Sequence, residues 1–277
     1  MAIIEDKLFR RIKKLTGRAI GDFNLIEEGD RIAVGISGGK DSYTLLHILD
    51  HLRRRAPIRY ELVAVNVDAG FPGFRRDLIE KHLQEYGFEY QLELTNCAEI
   101  IEQKLRPGSS TCAFCARLRR GVLYSVADRL RCNKLALGHH LDDFIETLLL
   151  NQFYIGTLAA MSPRLLADNG RHQVIRPLVY VEETEIAEFA GRNAFPLVCC
   201  SCPVVAAPDQ KRQRMKQLIS ELSKENPQIR KSMIGALGNV QLRHLMDRRL
   251  SPLAGGVPAE VTSTMGATAE GLYEEGG

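Results

Sequence analysis

The chain has 277 residues, 45% apolar and 26% charged, which suits one large globular domain or two small ones. No run approaches the ~18 apolar residues of a membrane span, and residues 1–18 are charged throughout with no signal-peptide core, so the reading is cytoplasmic, with no membrane partner. The net charge of +3 hides an asymmetry: residues 252–277 hold four Glu and no Lys or Arg, leaving +7 on the rest. A basic body suits a polyanion, although most Arg/Lys clusters are solvated helix faces.

Residues 1–30 read as a basic amphipathic helix, with Leu8, Ile12, Leu15 and Ile20 at its apolar positions, and a loop. Such a segment could pack on the core or grip a polyanion. Next comes Arg31 to Ser42, R-I-A-V-G-I-S-G-G-K-D-S. Ile32-Ala33-Val34-Gly35-Ile36 predicts a buried strand, Ser37 to Ser42 a tight polar turn, and Leu45, Ile48, Leu49 and Leu52 a helix. That order aims backbone N–H groups and a helix dipole at a phosphate. Gly38 and Gly39 let the backbone approach it, Ser37 and Ser42 offer hydroxyls, and Lys40 offers a point charge. The plainer reading is a solvent turn with Asp41 capping the helix. The run is not G-x-x-x-x-G-K-[ST], because Val34 stands at the first glycine position and Asp41 follows Lys40. It resembles instead the S-G-G-x-D-S loop of the PP-loop ATP pyrophosphatases. That resemblance implies cleavage of ATP between the α and β phosphates, with AMP passing to a substrate oxygen.

Glu61 to Val67 predicts a second strand, followed by the turn-rich Asp68 to Gly73. A helix over 75–86, a strand over 89–94, a helix over 112–130, a strand over 134–138 and a helix over 141–153 come next. Val174 to Leu178 predicts a last strand, and residues 182–189 and 210–222 predict helices, with another helical piece after Pro227. The final 26 residues have little apolar content and read as disordered. Strands alternating with helices imply an α/β fold with a doubly wound parallel sheet. Ligands in such sheets sit beyond the strand carboxyl ends, so the glycine turn, Asp68 and His139 should share one rim. The expected domains are a basic helical segment (1–30), a catalytic domain (31–205), a helical segment (206–250) and a tail (251–277).

Seven cysteines, odd in number and unevenly grouped, do not form a disulfide framework; close C-x-x-C pairs in a reducing compartment point to metal or redox chemistry. Cys112-Ala113-Phe114-Cys115 opens a helix with Arg117, Arg119 and Arg120 behind it, a setting that favours thiolate. Cys199-Cys200-Ser201-Cys202 contains a second pair. Four thiolates could hold zinc; three could hold an iron–sulfur cluster with one iron open. Isolated Cys97 and Cys132 read as buried structural thiols. Gly138-His139-His140-Leu141-Asp142-Asp143 follows a strand and opens a helix. Asp142 and Asp143 could serve as cap and first-turn charges or coordinate Mg²⁺ beside phosphates. His139 and His140 could contact phosphates, and Arg176 could neutralise developing charge.

The glycine turn, C-A-F-C-A-R-L-R-R-G, G-H-H-L-D-D-F-I-E-T, I-R-P-L and a late cysteine cluster occur in that order. The chain thereby resembles the tRNA 2-thiocytidine synthetase family over about residues 7–245. The resemblance implies an adenine nucleotide alpha hydrolase-like fold and a 4Fe–4S cluster on Cys112, Cys115 and Cys202. Cys200 inside the late pair departs from the family pattern and is the alternative third ligand. Ser37, Gly38, Gly39, Lys40, Asp41, Ser42, Asp68, Gly138, His139 and Arg176 would bind ATP, with Asp41, Ser42, Asp142, Asp143, Cys112 and Cys202 catalytic. Arg117, Arg119, Arg120, Lys211 and Arg212 would hold tRNA phosphates. In the implied reaction ATP adenylates O2 of an anticodon-loop cytidine, and sulfur then displaces AMP. The sulfur would come from a cysteine desulfurase, bound at the open iron or carried as a persulfide on Cys112 or Cys202. A homodimer is compatible with this reading. Lysidine synthetase would leave the central cysteines unexplained, and the two-zinc-finger thiouridine enzymes carry N-terminal cysteines where this chain has none before Cys97. A non-catalytic RNA-binding iron–sulfur protein would not need S-G-G-K-D-S.

Overall fold

The computed structural model describes residues 3–105, 111–167, 170–199, 202 and 210–247. They divide into two compact units, one of residues up to 143 with 162–210, the other of 144–161 with the described residues from 211 on. Residues 251–277, read above as a tail, lie outside the described residues.

The first unit holds a six-stranded sheet: β1 (Arg31–Gly35), β2 (Glu61–Asp68), β3 (Tyr90–Leu94), β4 (Lys134–Ala136), β5 (Arg164–Leu166) and β6 (Gln173–Ile175). Their spatial order is β3-β2-β1-β4-β6-β5. Five strands are parallel, and β5 runs antiparallel to β6 at the edge. The sheet is therefore mixed rather than wholly parallel. Three residues beginning with Arg164 carry no alternation or apolar run from which an edge strand could be read.

Ile32, Ala33 and Val34 are fully buried in the sheet centre, as expected of an apolar run covered on both faces. The chain leaves β1 to build β2 and β3 on one side, then returns to place β4 on the other. The crevice between β1 and β4 is the reversal point, where open α/β sheets bind ligands.

Among the described residues the sheet is accompanied by α1 (Lys7–Asp22), α2 (Lys40–Arg53), α3 (Arg76–Glu85), α4 (Cys97–Lys104), α5 (Thr111–Arg129), the start of α6 (Leu141–Leu150) and α7 (Glu183–Arg192). Helix α1 packs on α2 and α7. It buries Phe9, Ile12, Thr16 and Ala19, a stripe displaced from the expected Leu8, Leu15 and Ile20, which are half-buried. Helix α5 lays Val122, Leu123, Val126 and Ala127 on Ala33, Val63, Val65 and Leu135. Its end is pinned to the start of β1, where Arg31 Nε donates to the Leu130 carbonyl oxygen at 3.0 Å. Nineteen helical residues rise about 28 Å, more than a five-residue strand spans. The beginning of α5, with Cys112 and Cys115, thus stands at the strand carboxyl ends.

The second unit holds the rest of α6, a π-helical turn over Asn151–Ile155, α8 (Gln210–Glu225) and α9 (Ile229–Leu237). Among the described residues no helix is long and apolar enough to cross a membrane.

Candidate active site

The rim is built around the turn between β1 and α2. Gly38 has φ +87°, and a Cβ there would meet Val198 Cβ at 2.9 Å and Ile79 Cδ1 at 3.2 Å. Only glycine suits both the left-handed backbone and the space. Gly39 caps α2 without a side-chain bond. The two hydroxyls organise the turn. Ser37 N donates to Ser42 Oγ at 3.3 Å, Gly39 N donates to Ser37 Oγ at 3.2 Å, and Ser42 Oγ donates to the Gly39 carbonyl at 2.9 Å. Phosphate oxygens would compete for the same N–H donors at a helix N-terminus.

Gly138 closes the opposite wall. A Cβ there would meet the backbone of Asp41 and Ser42 at 3.0 to 3.1 Å. The loop after β4 is thereby seated on the first turn of α2. Beyond it His140 is buried among three carboxylates. Its Nε2 lies 3.4 Å from Asp143 Oδ2 and 3.7 Å from Asp41 Oδ1, and its Nδ1 lies 3.8 Å from Asp142 Oδ2. His140 Nδ1 is buried without a hydrogen bond, and Asp41 Oδ1 has the Lys40 ammonium 3.2 Å away. Buried polar atoms are nearly always satisfied, and exceptions mark functional sites or absent ligands.

The adjacent acids have different duties. Asp142 Oδ2 accepts from Glu183 N at 2.7 Å, at the start of α7. Asp143 Oδ2 accepts from His140 N at 3.0 Å. Lys40 Nζ stands 3.2 Å from Asp41 and 3.2 Å from Glu183. Burial works against its charge, but Asp41 and Glu183 outweigh burial and raise its pKa above the ordinary lysine value. Nothing in the sequence singles out Glu183; α7 shows only a capping box between Glu182 and Glu185. Arg176 is buried, with Nη1 on the Ser162 carbonyl at 2.6 Å and Nε donating to His139 Nδ1 at 3.1 Å. That bond requires an unprotonated Nδ1, so His139 is assigned its proton on Nε2. Asp68 is buried, and its Oδ1 accepts from Gly70 N at 2.9 Å in its own turn.

The late cysteine segment is stitched to this rim. Val198 N donates to the Gly38 carbonyl at 2.9 Å. Tyr43 Oη donates to the Pro196 carbonyl at 3.4 Å, and Phe195 stacks on His47 at 5.1 Å. His47 Nε2 meets His82 Nε2 at 2.9 Å beneath it. Burial pushes both imidazoles down, His47 to about 3 and His82 to about 4, with each ring remaining neutral. Cys202 is buried, Cys199 and Cys112 are exposed, and Cys115 is half-buried. Cys200 lies outside the described residues. Cys97 and Cys132 are buried as expected, and burial pushes the Cys132 thiol up to about 11.

By donor chemistry the three thiols of Cys112, Cys115 and Cys202 suit an iron–sulfur cluster, and the carboxylates of Asp41 and Asp143, gathered around His140, suit Mg²⁺. Among the described residues no three His, Cys, Asp or Glu side chains stand together in metal-holding geometry. Of the residues expected to hold RNA, Arg117 and Lys211 are exposed and Arg119 and Arg120 half-buried. Arg212 instead donates through Nε to the buried Glu146 at 2.7 Å.

A glycine turn at the reversal point of a parallel-dominated sheet, feeding a helix that carries Asp41 and Ser42, defines a PP-loop domain. The family model described as a PP-loop domain matches residues 4–198. The tRNA-cytidine(32) 2-sulfurtransferase of Syntrophotalea carbinolica is 72% identical over 250 residues, covering 90% of this chain and 96% of that protein. The protein of the same name from Geotalea uraniireducens is 63% identical, covering 90% of this chain and 99% of its own. The chain belongs to the PP-loop family and, within it, to the tRNA-cytidine(32) 2-sulfurtransferases. Among solved structures, the U34-tRNA thiolase NcsA from Methanococcus maripaludis, determined with its 4Fe–4S cluster, shares the fold. Its TM-score is 0.66 at 24% identity, over 86% of this chain and 80% of that one.

Proposed function

We propose that this chain is an ATP-dependent tRNA sulfurtransferase that activates O2 of a cytidine in the anticodon loop as its adenylate and replaces that oxygen with sulfur. The observation that carries the proposal is the turn Ser37 to Ser42, wedged between Gly138 on one side and Val198 on the other. Membership in the sulfurtransferase family supports tRNA as the substrate.

In this reading Gly38, Gly39 and the first turn of α2 hold the phosphates of ATP through backbone N–H groups, with Ser37 and Ser42 yielding those donors. Lys40, fully charged beside Asp41 and Glu183, neutralises the phosphates. Attack of the cytidine O2 on the α-phosphorus forms a P–O bond and expels pyrophosphate. A sulfur nucleophile then adds at C2, and departure of AMP leaves 2-thiocytidine. His139, held by Arg176, presents Nε2–H as a donor to phosphate oxygens.

Mg²⁺, held by Asp143 with Asp41, would supply charge stabilisation to the phosphates. Asp142 acts in positioning, because its carboxylate fixes α7 and with it Glu183. Cys112, Cys115 and Cys202 would hold a 4Fe–4S cluster, which supplies an exchangeable iron coordination position for sulfur when bound. The basic residues at the start of α5 would meet tRNA phosphates.

The test incubates anaerobically purified, iron-reconstituted protein with ATP, Mg²⁺, sulfide and unmodified tRNA. Nucleosides are then analysed by mass spectrometry, and AMP and pyrophosphate are quantified. Equal yields of AMP, pyrophosphate and 2-thiocytidine are expected. Thiolation without AMP formation would remove the adenylate; AMP formation with a different modified base would remove the cytidine assignment.

A further inference from the structure

Two aromatic rings in the second unit are displayed rather than buried. Phe153 and Tyr154 are 58% and 47% exposed, and Leu158 nearby is 58% exposed. They sit on or just after the π-helical turn Asn151–Ile155. Such wide turns are rare and concentrate at functional sites. This one is firmly held. Asn151 is buried, its Nδ2 donates to the Ala159 carbonyl at 2.9 Å, and its own carbonyl accepts from Thr157 N at 3.0 Å. Gly156, at φ +74°, turns the chain back. The rings are thus fixed in solvent at a standing cost in exposed apolar area.

The neighbouring charge is positive. Lys211 Nζ lies 5.3 Å from the Tyr154 ring centroid. Arg214 follows three residues on, on the same face of α8, and is exposed. Arg212 does not join them, since it pairs with Glu146.

We infer that Phe153 and Tyr154 form a stacking platform for unpaired bases of an RNA loop, with Lys211 and Arg214 meeting its phosphates. Proteins that hold single-stranded nucleic acid combine these two elements, aromatic faces for bases and cations for the backbone. A protein partner would favour the rings but not Lys211, since lysine is depleted at protein interfaces. The inference rests on the proposed tRNA substrate and assigns the second unit a part in binding it.

The experiment measures tRNA affinity of the full chain by fluorescence anisotropy across a salt series. Phe153→Ala and Tyr154→Ala should each weaken binding by roughly 5- to 150-fold, the range for one base–aromatic stack, with the salt slope unchanged. Phe153→Leu keeps apolar bulk but no ring and should lose affinity like the alanine variant; Tyr154→Phe keeps the ring and should bind as the parent does. Lys211→Ala should instead flatten the slope by about one. A double Phe153→Ala/Tyr154→Ala variant that binds tRNA like the parent overturns the platform and leaves the proposed function standing. If that variant also loses self-association in sedimentation, a second copy covers the patch and the inference is equally overturned. A parent chain that binds no tRNA removes both readings.

Discussion

The backbone N–H of Val198 donates to the carbonyl oxygen of Gly38 at 2.9 Å, so the segment leading to Cys199 and Cys202 is tied directly to the glycine turn between β1 and α2. The same two residues are in van der Waals contact, with no room for a side chain on Gly38. Gly38→Ala should therefore act twice. A left-handed alanine costs about 1–2 kcal/mol, and overpacking against Val198 adds about 1–3 kcal/mol. Urea unfolding reads the stability loss, and ATP-dependent AMP formation should fall with it. A variant of parental stability would show that Val198 moves aside easily and that the tie is loose.

Asp142 and Asp143 should separate by assay. Asp142→Ala removes the acceptor at the start of α7 and should cost about 0.5–2 kcal/mol, as a lost helix cap does. Asp143→Asn can still accept from His140 N and should leave the thermal midpoint in place, while raising the Mg²⁺ concentration needed for half-maximal AMP formation. A Mg²⁺ titration identical to the parent's would confine Asp143 to holding the His140 backbone.

The buried imidazole pair predicts a pH dependence. His47 and His82 have values of about 3 and about 4 in the folded protein, below the ordinary 6.5. The unfolded chain therefore binds more protons between those values, and stability rises with pH across that window. It is complete above about pH 6.5 and is lost as pH falls toward 4 and 3. The loss is on the order of a few kcal/mol, carried mainly by His47, which is the more deeply set. Urea unfolding at a series of pH values should show this slope, and His47→Gln/His82→Gln should flatten it. Equal slopes would assign the acid sensitivity to the carboxylates.

The cysteines divide by grouping: Cys112, Cys115 and Cys202 belong to C-x-x-C pairs, whereas Cys97 and Cys132 stand alone and buried. Changing Cys112, Cys115 or Cys202 to Ala should drop iron below a full cluster and stop thiolation while ATP binding persists. Cys97→Ala and Cys132→Ala should keep full iron, and Cys132 should resist alkylation at pH 8 because its thiol titrates near 11. Full iron in Cys202→Ala with its loss in Cys200→Ala would move the third ligand. Tight zinc with no iron would remove the cluster.

Much of this arrangement was legible in the sequence because it is local. Ile32 to Ser42 spells strand, turn and helix in consecutive residues, and the alternation of Glu61–Val67, Glu89–Leu94 and Lys134–Gly138 with helices marks a doubly wound sheet. What was missed depends on neighbours distant in sequence. Cys97 to Lys104 forms a helix where eight mixed residues give little periodicity. Phe153 continues α6 in its pattern, but the backbone widens there into a π-turn. Glu183 joins the site only because Asp142 and Lys40, both far away in the chain, converge on it. Arg212 reads as one of a run of cations, and its ion pair with the buried Glu146 is not visible in the sequence. Charge counts do not distinguish a cation facing solvent from one neutralising a buried acid.

The π-helical turn also makes the aromatic display sensitive to chain length. A π-turn holds one more residue than the α-helical turn it replaces, and each residue in an α-helix advances the chain by about 100°. Removing Gln152 would let α6 run on through the two aromatic residues in ordinary register. Phe153 and Tyr154 would then swing a quarter-turn or more around the axis, away from Lys211. A one-codon deletion ahead of the rings, harmless to the helix as a helix, is thus enough to dismantle the aromatic display.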